Sequence, residues 1–360
     1  MKALKIGIVG YGGMGEYHER ELIKNNPYVT VKGIYDIENS KIEAAKSKGL
    51  VGYLSYDELL NDEEIEAVLI ATPNDSHKEL SIKAINNNKH VICEKPVTIH
   101  SEDLLEIVEV AKNNNKVFMV HQNRRWDSDY LIIRNLYKNK QIGELFQIES
   151  RVHGANGIPG DWRHLKEYGG GMLLDWGVHI LDQILFMVDS PIESVYSDLS
   201  YVLGDDVDDG FITYINFENG LKAVFEVGTS NFVKLPRWYV KGLKGSGVIY
   251  DWDLSGELVV QNTSNEKVEL KPVKAGEGFT KTMAPPSEDS TIKLELPKGE
   301  LEYEPFYTNF FNVVRNGDEP IVKNDEVYRV MKLIEDIFES ARIKETIYYY
   351  KGRRFFRRPL

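Results

Sequence analysis

The feature that most narrows what this chain can become lies in its first fifteen residues. An apolar run, Ile6 to Val9, breaks into Gly10-Tyr11-Gly12-Gly13-Met14-Gly15, and helical sequence follows. In a strand–turn–helix unit of this spacing the first glycine permits a tight turn and the second lets the backbone approach a pyrophosphate. The third allows close helix packing, and the helix N-terminus supplies N–H groups and a positive dipole. Asp36 follows 21 residues after Gly15, at the end of a second apolar run, Val29 to Tyr35. A carboxylate there accepts from both ribose hydroxyls. The combination predicts a dinucleotide site in which residues Gly10 to Gly15 and Asp36 take part. Asp36 favours NAD over NADP, because it repels a 2′-phosphate and Ile37 brings no compensating charge, while Lys41 softens the preference.

From Lys2 to Gln122 short β-branched runs alternate with polar-faced helical stretches, the pattern of a parallel sheet covered by helices. The runs are Ile6 to Val9, Val29 to Tyr35, Val51 to Tyr53, Ala67 to Ala71, His90 to Cys93 and Val117 to Val120. Ser55 followed by Glu58 marks a helix start of capping-box type. Beyond Gln122 come a helix over about 129–139, a strand from Leu145 to His153, a glycine-rich loop and a helix from Leu174 to Val188. Strands then dominate from Ile192 to Asp251, with Glu218-Asn219-Gly220 as a turn. The polar stretch from Asn262 to Lys298 shows no period and reads as a long irregular excursion; a last helix spans about Glu326 to Ile343.

The length of 360 residues suits two domains. The predicted class is α/β: a doubly wound Rossmann domain at 1–122, an α/β domain with a large, mostly antiparallel open sheet at 123–345, and a C-terminal tail at 346–360. The second domain is expected to carry substrate and oligomer contacts.

Two further segments fall at strand ends, where open parallel sheets bind ligands. One is Ala71-Thr72-Pro73-Asn74-Asp75-Ser76-His77; the other is Cys93-Glu94-Lys95-Pro96, in which the proline restricts Lys95 and favours a positioned cation. In the second half, Gly169-Gly170-Gly171 precedes Asp175, His179 and Asp182, whose spacing places all three on one helix face. An imidazole one turn from a carboxylate can be oriented and supported as it gains a proton, and the glycines allow close backbone approach to a ligand. Two other readings of the trio are a solvated face and a metal site. Metal is disfavoured because no second histidine stands in helix register nearby. Cys93 is a weak candidate nucleophile, since free cysteines are usually buried.

With GYGGMG, ATPNDSH, EKP and the pattern GGG-x-L-x-D-x-G-x-H-x-x-D ending at Asp182, the chain resembles the Gfo/Idh/MocA oxidoreductases over almost its whole length. The resemblance implies catalytic roles for Lys95, Asp175 and His179. It implies cofactor contacts from Gly10, Gly12, Gly15, Asp36, Thr72, Asn74, His77, Glu94 and Asn123. Gln122-Asn123-Arg124-Arg125-Trp126 looks like the family's crossover between domains, and Asp161-Trp162-Arg163 like a loop reaching substrate; Arg124, Trp162 and Arg163 are thereby substrate-binding candidates. The reaction implied is hydride exchange between a nicotinamide and a hydroxyl carbon of a sugar, inositol or related polyol. His179 would take the proton, Lys95 would steady the oxygen and Asp175 would orient His179. An NAD-dependent glycosidase acting by transient oxidation and a dinucleotide-sensing regulator share the framework.

A net charge of -12 disfavours nucleic acid and anionic membrane as partners. With Cys93 as the sole cysteine and no signal segment or bilayer-length apolar run, a reducing cytoplasm is the expected compartment. A strand-rich domain with few covering helices is expected to assemble, and the resemblance implies a homodimer or homotetramer. The basic, aromatic tail from Lys351 to Arg358 is read as a terminal extension, packed on a neighbour or frayed.

Overall fold

The computed structural model describes residues 2–204, 206–264, 272–283 and 288–356. Six strands form a parallel sheet: β1 (Leu4–Val9), β2 (Val29–Tyr35), β3 (Val51–Gly52), β4 (Ala67–Ile70), β5 (His90–Cys93) and β6 (Phe118–Val120), in the order β3-β2-β1-β4-β5-β6. Every residue of β4 and β6 is buried, as a sheet covered on both faces requires. The order reverses between β1 and β4, so a crevice opens beyond their carboxyl ends.

The helices of this part are α1 (Gly13–Tyr17), extended by wider π-type turns over His18–Ile23, then α2 (Asn39–Ser47), α3 (Tyr56–Asn61), α4 (His77–Asn86) and α5 (Ser101–Asn113). Ser55 does cap α3, its hydroxyl accepting from Glu58 N at 3.1 Å, while the Glu58 carboxylate returns to Leu54 N at 2.7 Å.

The second part begins with α6 (Ser128–Asn139) and β7 (Leu145–His153). A π-type turn over Leu173–Gly177 then runs into α7 (Val178–Met187). There follow β8 (Ile192–Ser200), β9 (Gly210–Phe217), β10 (Lys222–Gly228), β11 (Trp238–Gly242), β12 (Gly245–Ile249), β13 (Gly256–Gln261), β14 (Val273–Ala275), β15 (Gly278–Thr280) and β16 (Thr291–Leu294). The chain closes with α8 (Phe306–Asn316), α9 (Asn324–Ile343), β17 (Ile347–Tyr350) and β18 (Arg353–Phe355). Ten strands make one sheet, β16-β13-β12-β11-β7-β10-β9-β8-β17-β18, antiparallel except for β7 with β10. The α/β class and both sheets are as the sequence implies.

Three features differ from the sequence reading. The excursion from Asn262 to Lys298 is not wholly irregular: β14 and β15 form a hairpin and β16 pairs with β13, while residues 265–271 and 284–287 lie outside the described ones. The tail does not stand apart, because β17 pairs with β8 and β18 with β17, extending the large sheet; Arg357 and Arg358 lie outside the described residues.

Helix α8 was not foreseen. Its Phe306, Tyr307, Phe310 and Phe311 are buried, and with α9 it turns back onto the first domain. Asn324 Nδ2 donates to Phe118 O at 3.1 Å, Glu335 accepts from Ser101 N at 2.9 Å, and Arg315 pairs with Glu66 at 2.7 Å. Helices α6 and α9 pack on the large sheet with α7 against both, whereas Ile212 and Tyr214 are exposed between buried neighbours of β9 and Phe146 is exposed on β7. Among the described residues no helix is long and apolar enough to cross a membrane.

Candidate active site

The turn after β1 is shaped by its glycines. Gly10 has φ +84°, and a Cβ on Gly15 would stand 2.1 Å from Gly10 O, so the helix can sit this close only without a side chain there. At Gly12 and Gly13 a Cβ would meet nothing within 4 Å. This is an open cradle over a helix start that no side chain caps, the shape a pyrophosphate requires. Tyr11 contributes backbone only, its ring being buried with the hydroxyl on Glu19 at 3.1 Å; Met14 is half-buried beside the cradle. Asp36 is held by two N–H donors, Tyr11 N at 2.6 Å and Glu38 N at 2.8 Å, at the end of β2. Ile37 points into solvent, 89% exposed.

Beyond β4, Thr72 shares a hydrogen bond with Ser76 at 2.6 Å, and buried Asn74 donates to Gly169 O at 2.9 Å, tying the first domain to the glycine-rich loop. His77 stands between the two strand-end loops. Fully buried, it sets Nδ1 against Pro96 O at 3.0 Å and Nε2 against Thr72 O at 2.9 Å, bracing two loops where a cofactor contact was expected. Asn123 opens a short turn after β6, its N–H donating to His121 O at 2.9 Å.

Lys95 reaches across the domains. Its Nζ stands 3.0 Å from Asp175 Oδ1 and 2.9 Å from Asp175 O, and Arg163 Nε lies 3.4 Å from Asp175 Oδ2. Burial pushes the Asp175 carboxyl up, but Lys95 and Arg163 outweigh it and hold it below its ordinary value. The partners of Asp175 are therefore these cations rather than His179, which differs from the expected orientation of the imidazole by the carboxylate. Asp182 departs further: it is buried against Arg125, with contacts of 2.6 and 2.8 Å. Asp175 lies on the π-type turn over Leu173–Gly177, outside the regular α-helical register that relates His179 to Asp182 in α7.

His179 is buried, and its Nδ1 has no hydrogen-bond partner among the described residues. Burial, with the charges of Lys95 and Arg124 added, holds its pKa well below the ordinary imidazole value, so the ring is neutral and free to accept a proton at neutral pH. Trp176 meets it edge to face at 5.9 Å.

Arg124 pairs with Asp127 at 2.9 Å and stacks over Trp176 and Trp252, 4.3 and 5.4 Å from their ring centres. Trp162 and Arg163 stack on one another at 4.7 Å, and Arg163 also pairs with Asp161 at 2.6 Å. The glycines let other parts of the chain pack closely against this loop. A Cβ on Gly171, whose φ is +102°, would stand 2.3 Å from Asp208 Oδ1, and one on Gly170 would stand 2.3 Å from Arg163 O. Asp208 in turn accepts from Leu173 N at 2.8 Å and Met172 N at 3.0 Å, fixing the start of the turn that carries Asp175.

Glu94, expected beside the cofactor, has its Oε1 against His18 Nε2 at 2.6 Å and His121 Nδ1 at 2.8 Å, and its Oε2 accepting from Lys95 N at 3.0 Å. His18, Glu94 and His121 are the one metal-type donor group among the described residues. Their contacts are hydrogen bonds; two donors on one tetrahedral zinc, at about 2.0–2.1 Å from it, would stand about 3.3 Å apart. Cys93 is buried, and burial pushes its thiol up, away from nucleophilic use.

Sequence reasoning missed His18, His121, Trp176, Trp252, Asp208 and Tyr307. His18, three residues past Gly15, and His121, at the end of a strand, carried a positional signal. Trp252 and Tyr307 come from distant turns and helices and carried none.

A parallel sheet with a glycine cradle and an acidic residue at its switch point, whose Lys95 meets a carboxylate beside a buried histidine of a second sheet domain, is the frame of a dinucleotide-binding oxidoreductase. Sequence profiles agree. The oxidoreductase family with NAD-binding Rossmann fold matches residues 4–122, and the GFO/IDH/MocA C-terminal domain matches residues 130–248. The chain belongs to the Gfo/Idh/MocA family.

A solved NAD-binding protein from Listeria innocua is 60% identical, with TM-score 0.94, over 97% of this chain and 100% of that one. Oxidoreductase YdgJ of Escherichia coli K12 is 27% identical over 96% of this chain and 98% of its own. Inositol 2-dehydrogenase of Salmonella typhimurium is 32% identical over 43% of this chain and 48% of its own. A Desulfitobacterium hafniense structure named for NADPH shares the fold, with TM-score 0.76 at 18% identity over 97% of this chain and 98% of that one.

Proposed function

We propose that this chain is an NAD-dependent dehydrogenase of a sugar, inositol or related polyol, with Lys95, Asp175 and His179 as its catalytic residues. The observation that carries the reading is the meeting of Lys95 and Asp175 across the domains, close enough to His179 for the Lys95 charge to depress its pKa, with an unpartnered imidazole nitrogen. The bound dinucleotide supplies the hydride acceptor. His179, neutral and buried, takes the proton of the substrate hydroxyl. Lys95, steered by Asp175, hydrogen-bonds the same oxygen and favours its developing negative charge. Asp175 thus acts through Lys95.

Asp36 reserves the adenosine ribose for an unphosphorylated hydroxyl pair, so NAD is preferred to NADP. Trp162, Trp176 and Trp252 with Arg124 and Arg163 give the substrate side flat apolar faces and donors, suited to a ring bearing hydroxyls. The exposed Phe146, Ile212 and Tyr214 on the large sheet support assembly into a homodimer or homotetramer.

Incubation with NAD and a panel of inositols, sugars, polyols and glycosides, following both NADH absorbance and free-sugar release, tests the reaction. NADH formation on a polyol supports it; sugar release without net NADH identifies the glycosidase; binding with neither identifies a regulator.

A further inference from the structure

One buried group of titratable side chains joins four separate parts of the chain: His18 after α1, Glu94 after β5, His121 after β6 and Tyr307 on α8. His18 Nδ1 lies 2.5 Å from the Tyr307 hydroxyl, and its Nε2 lies 2.6 Å from Glu94 Oε1. The two histidines hold the Glu94 carboxyl well below its ordinary value, and with that carboxylate ionised a neutral His18 has one assignment: Tyr307 donates to Nδ1, and Nε2–H donates to Glu94. His121 Nδ1–H is the second donor to the same oxygen, at 2.8 Å, and Lys95 N–H donates to Oε2 at 3.0 Å. Glu94 is thus an ionised carboxylate that accepts from three donors, His18, His121 and the Lys95 N–H. Burial disfavours its charge, and the two histidines outweigh that burial.

The charges nearby otherwise cancel. Lys95 has Asp175, Arg163 has Asp161, and Arg124 has Asp127 as carboxylate partners. Glu94 is left as the carboxylate with no lysine or arginine partner at the carboxyl end of β5, and its charge acts on His179. The oxidised nicotinamide ring carries a positive charge that the reduced ring lacks. Resting on the nicotinamide site proposed above, we propose that Tyr307 and His18, with His121, are positioning residues that fix the Glu94 carboxylate as the anion by which the site favours the oxidised over the reduced dinucleotide.

The test is the ratio of NADH to NAD dissociation constants, measured by calorimetry with no substrate present. Glu94→Gln, which keeps the shape and removes the charge, is expected to move the ratio toward NADH on the order of tenfold. Tyr307→Phe strands the His18 Nδ1 in a buried place. Either the ring turns and loses Glu94, or it binds a proton that cancels the carboxylate, and each moves the ratio the same way by about threefold. The shift in Tyr307→Phe should also depend on pH between about 5 and 8, where a released histidine titrates, while the wild-type ratio stays flat. In the Glu94→Gln background Tyr307→Phe should be silent.

His121→Gln, expected to shift the ratio in the same direction, serves if Tyr307→Phe proves unfolded by its melting curve. An unchanged ratio in Glu94→Gln, or equal loss of both dinucleotide forms in the Tyr307 and His121 variants, overturns the inference while leaving the proposed dehydrogenase intact. Failure of the wild type to bind either form removes the nicotinamide site and both readings with it.

Discussion

Replacing Asp36 with Asn isolates the choice of dinucleotide. The carboxylate is fixed by N–H groups of Tyr11 at 2.6 Å and Glu38 at 2.8 Å, so it cannot swing away from a ribose that arrives carrying a phosphate. A 2′-phosphate in the ribose position would bring like charge to about 4–5 Å. A unit pair at that distance costs about 1 kcal/mol in water and about 4 at an effective dielectric of 20. Asp36 is half-exposed, so the lower part of that range applies, and we expect about 1.4–2.8 kcal/mol, or roughly 10- to 100-fold tighter binding of NAD than NADP.

Asn at this position keeps one acceptor oxygen but turns an NH₂ toward one of the two N–H groups. Some loss of NAD affinity is therefore expected as well, and the ratio is the informative quantity. Calorimetric titration with both dinucleotides at low and high salt should show the wild-type gap narrowing with salt and largely closing in Asp36→Asn. Equal affinities in the wild type, or a preference for NADP, would refute the reasoning, because the carboxylate would then not face the ribose.

Four other outcomes are expected. His179→Ala should lower single-turnover hydride transfer by about 10²–10⁴-fold with NAD affinity nearly unchanged. In the wild type the rise of turnover with pH should fall well below the ordinary imidazole value of about 6.5, because the folded ring resists protonation; a midpoint at or above 6.5 would show that another group is the base. Asp175→Asn removes the carboxylate that steers Lys95 and should cut turnover without altering that midpoint much, whereas a large displacement of it would mean that Asp175 acts on His179 directly. Asp208, pushed up to about 7 by burial, holds a proton in the folded chain that the unfolded chain releases near 3.8. Its contribution is thus fully present below about pH 4 and is lost as pH rises through 7. Denaturant unfolding at pH 5 and 8 should differ by about 2–4 kcal/mol more in the wild type than in Asp208→Asn, and an equal difference in both would disprove the assignment.

The first domain was legible because its signals are local. The cradle at Gly10 to Gly15, Asp36 and the apolar runs of β1, β2, β4 and β5 depend on neighbours a few residues away, and the strands fall where their periodicity puts them. Lys95 and Asp175 could be named as participants but not as partners, since 80 residues separate them and only the docking of two domains brings them together. The spacing of Asp175 and His179 misled because an ideal helical wheel assumes uniform turns, and Leu173–Gly177 winds more widely, while Asp182 is claimed by Arg125 through tertiary packing. His77 looked like a ligand contact at a strand end, but facing a strand end says nothing of which way the ring turns. Trp252 and Tyr307 show the limit most plainly: neither belongs to a motif, and each acquires its place from tertiary packing alone.

The return of α8 and α9 to the first domain bears on how the protein comes into being. A nascent chain that has produced residues 1–122 has all six parallel strands, yet it lacks the covers supplied by Tyr307 on His18, Asn324 on β6 and Glu335 on the start of α5. Those contacts close loops of 206 to 289 residues, so they form late, and the dinucleotide crevice matures only when nearly the whole chain has been made. Excising the first domain at residue 122 would therefore expose β6 and the histidine pair to water, and a cofactor site encoded almost wholly near the N-terminus depends for its completion on sequence close to the other end.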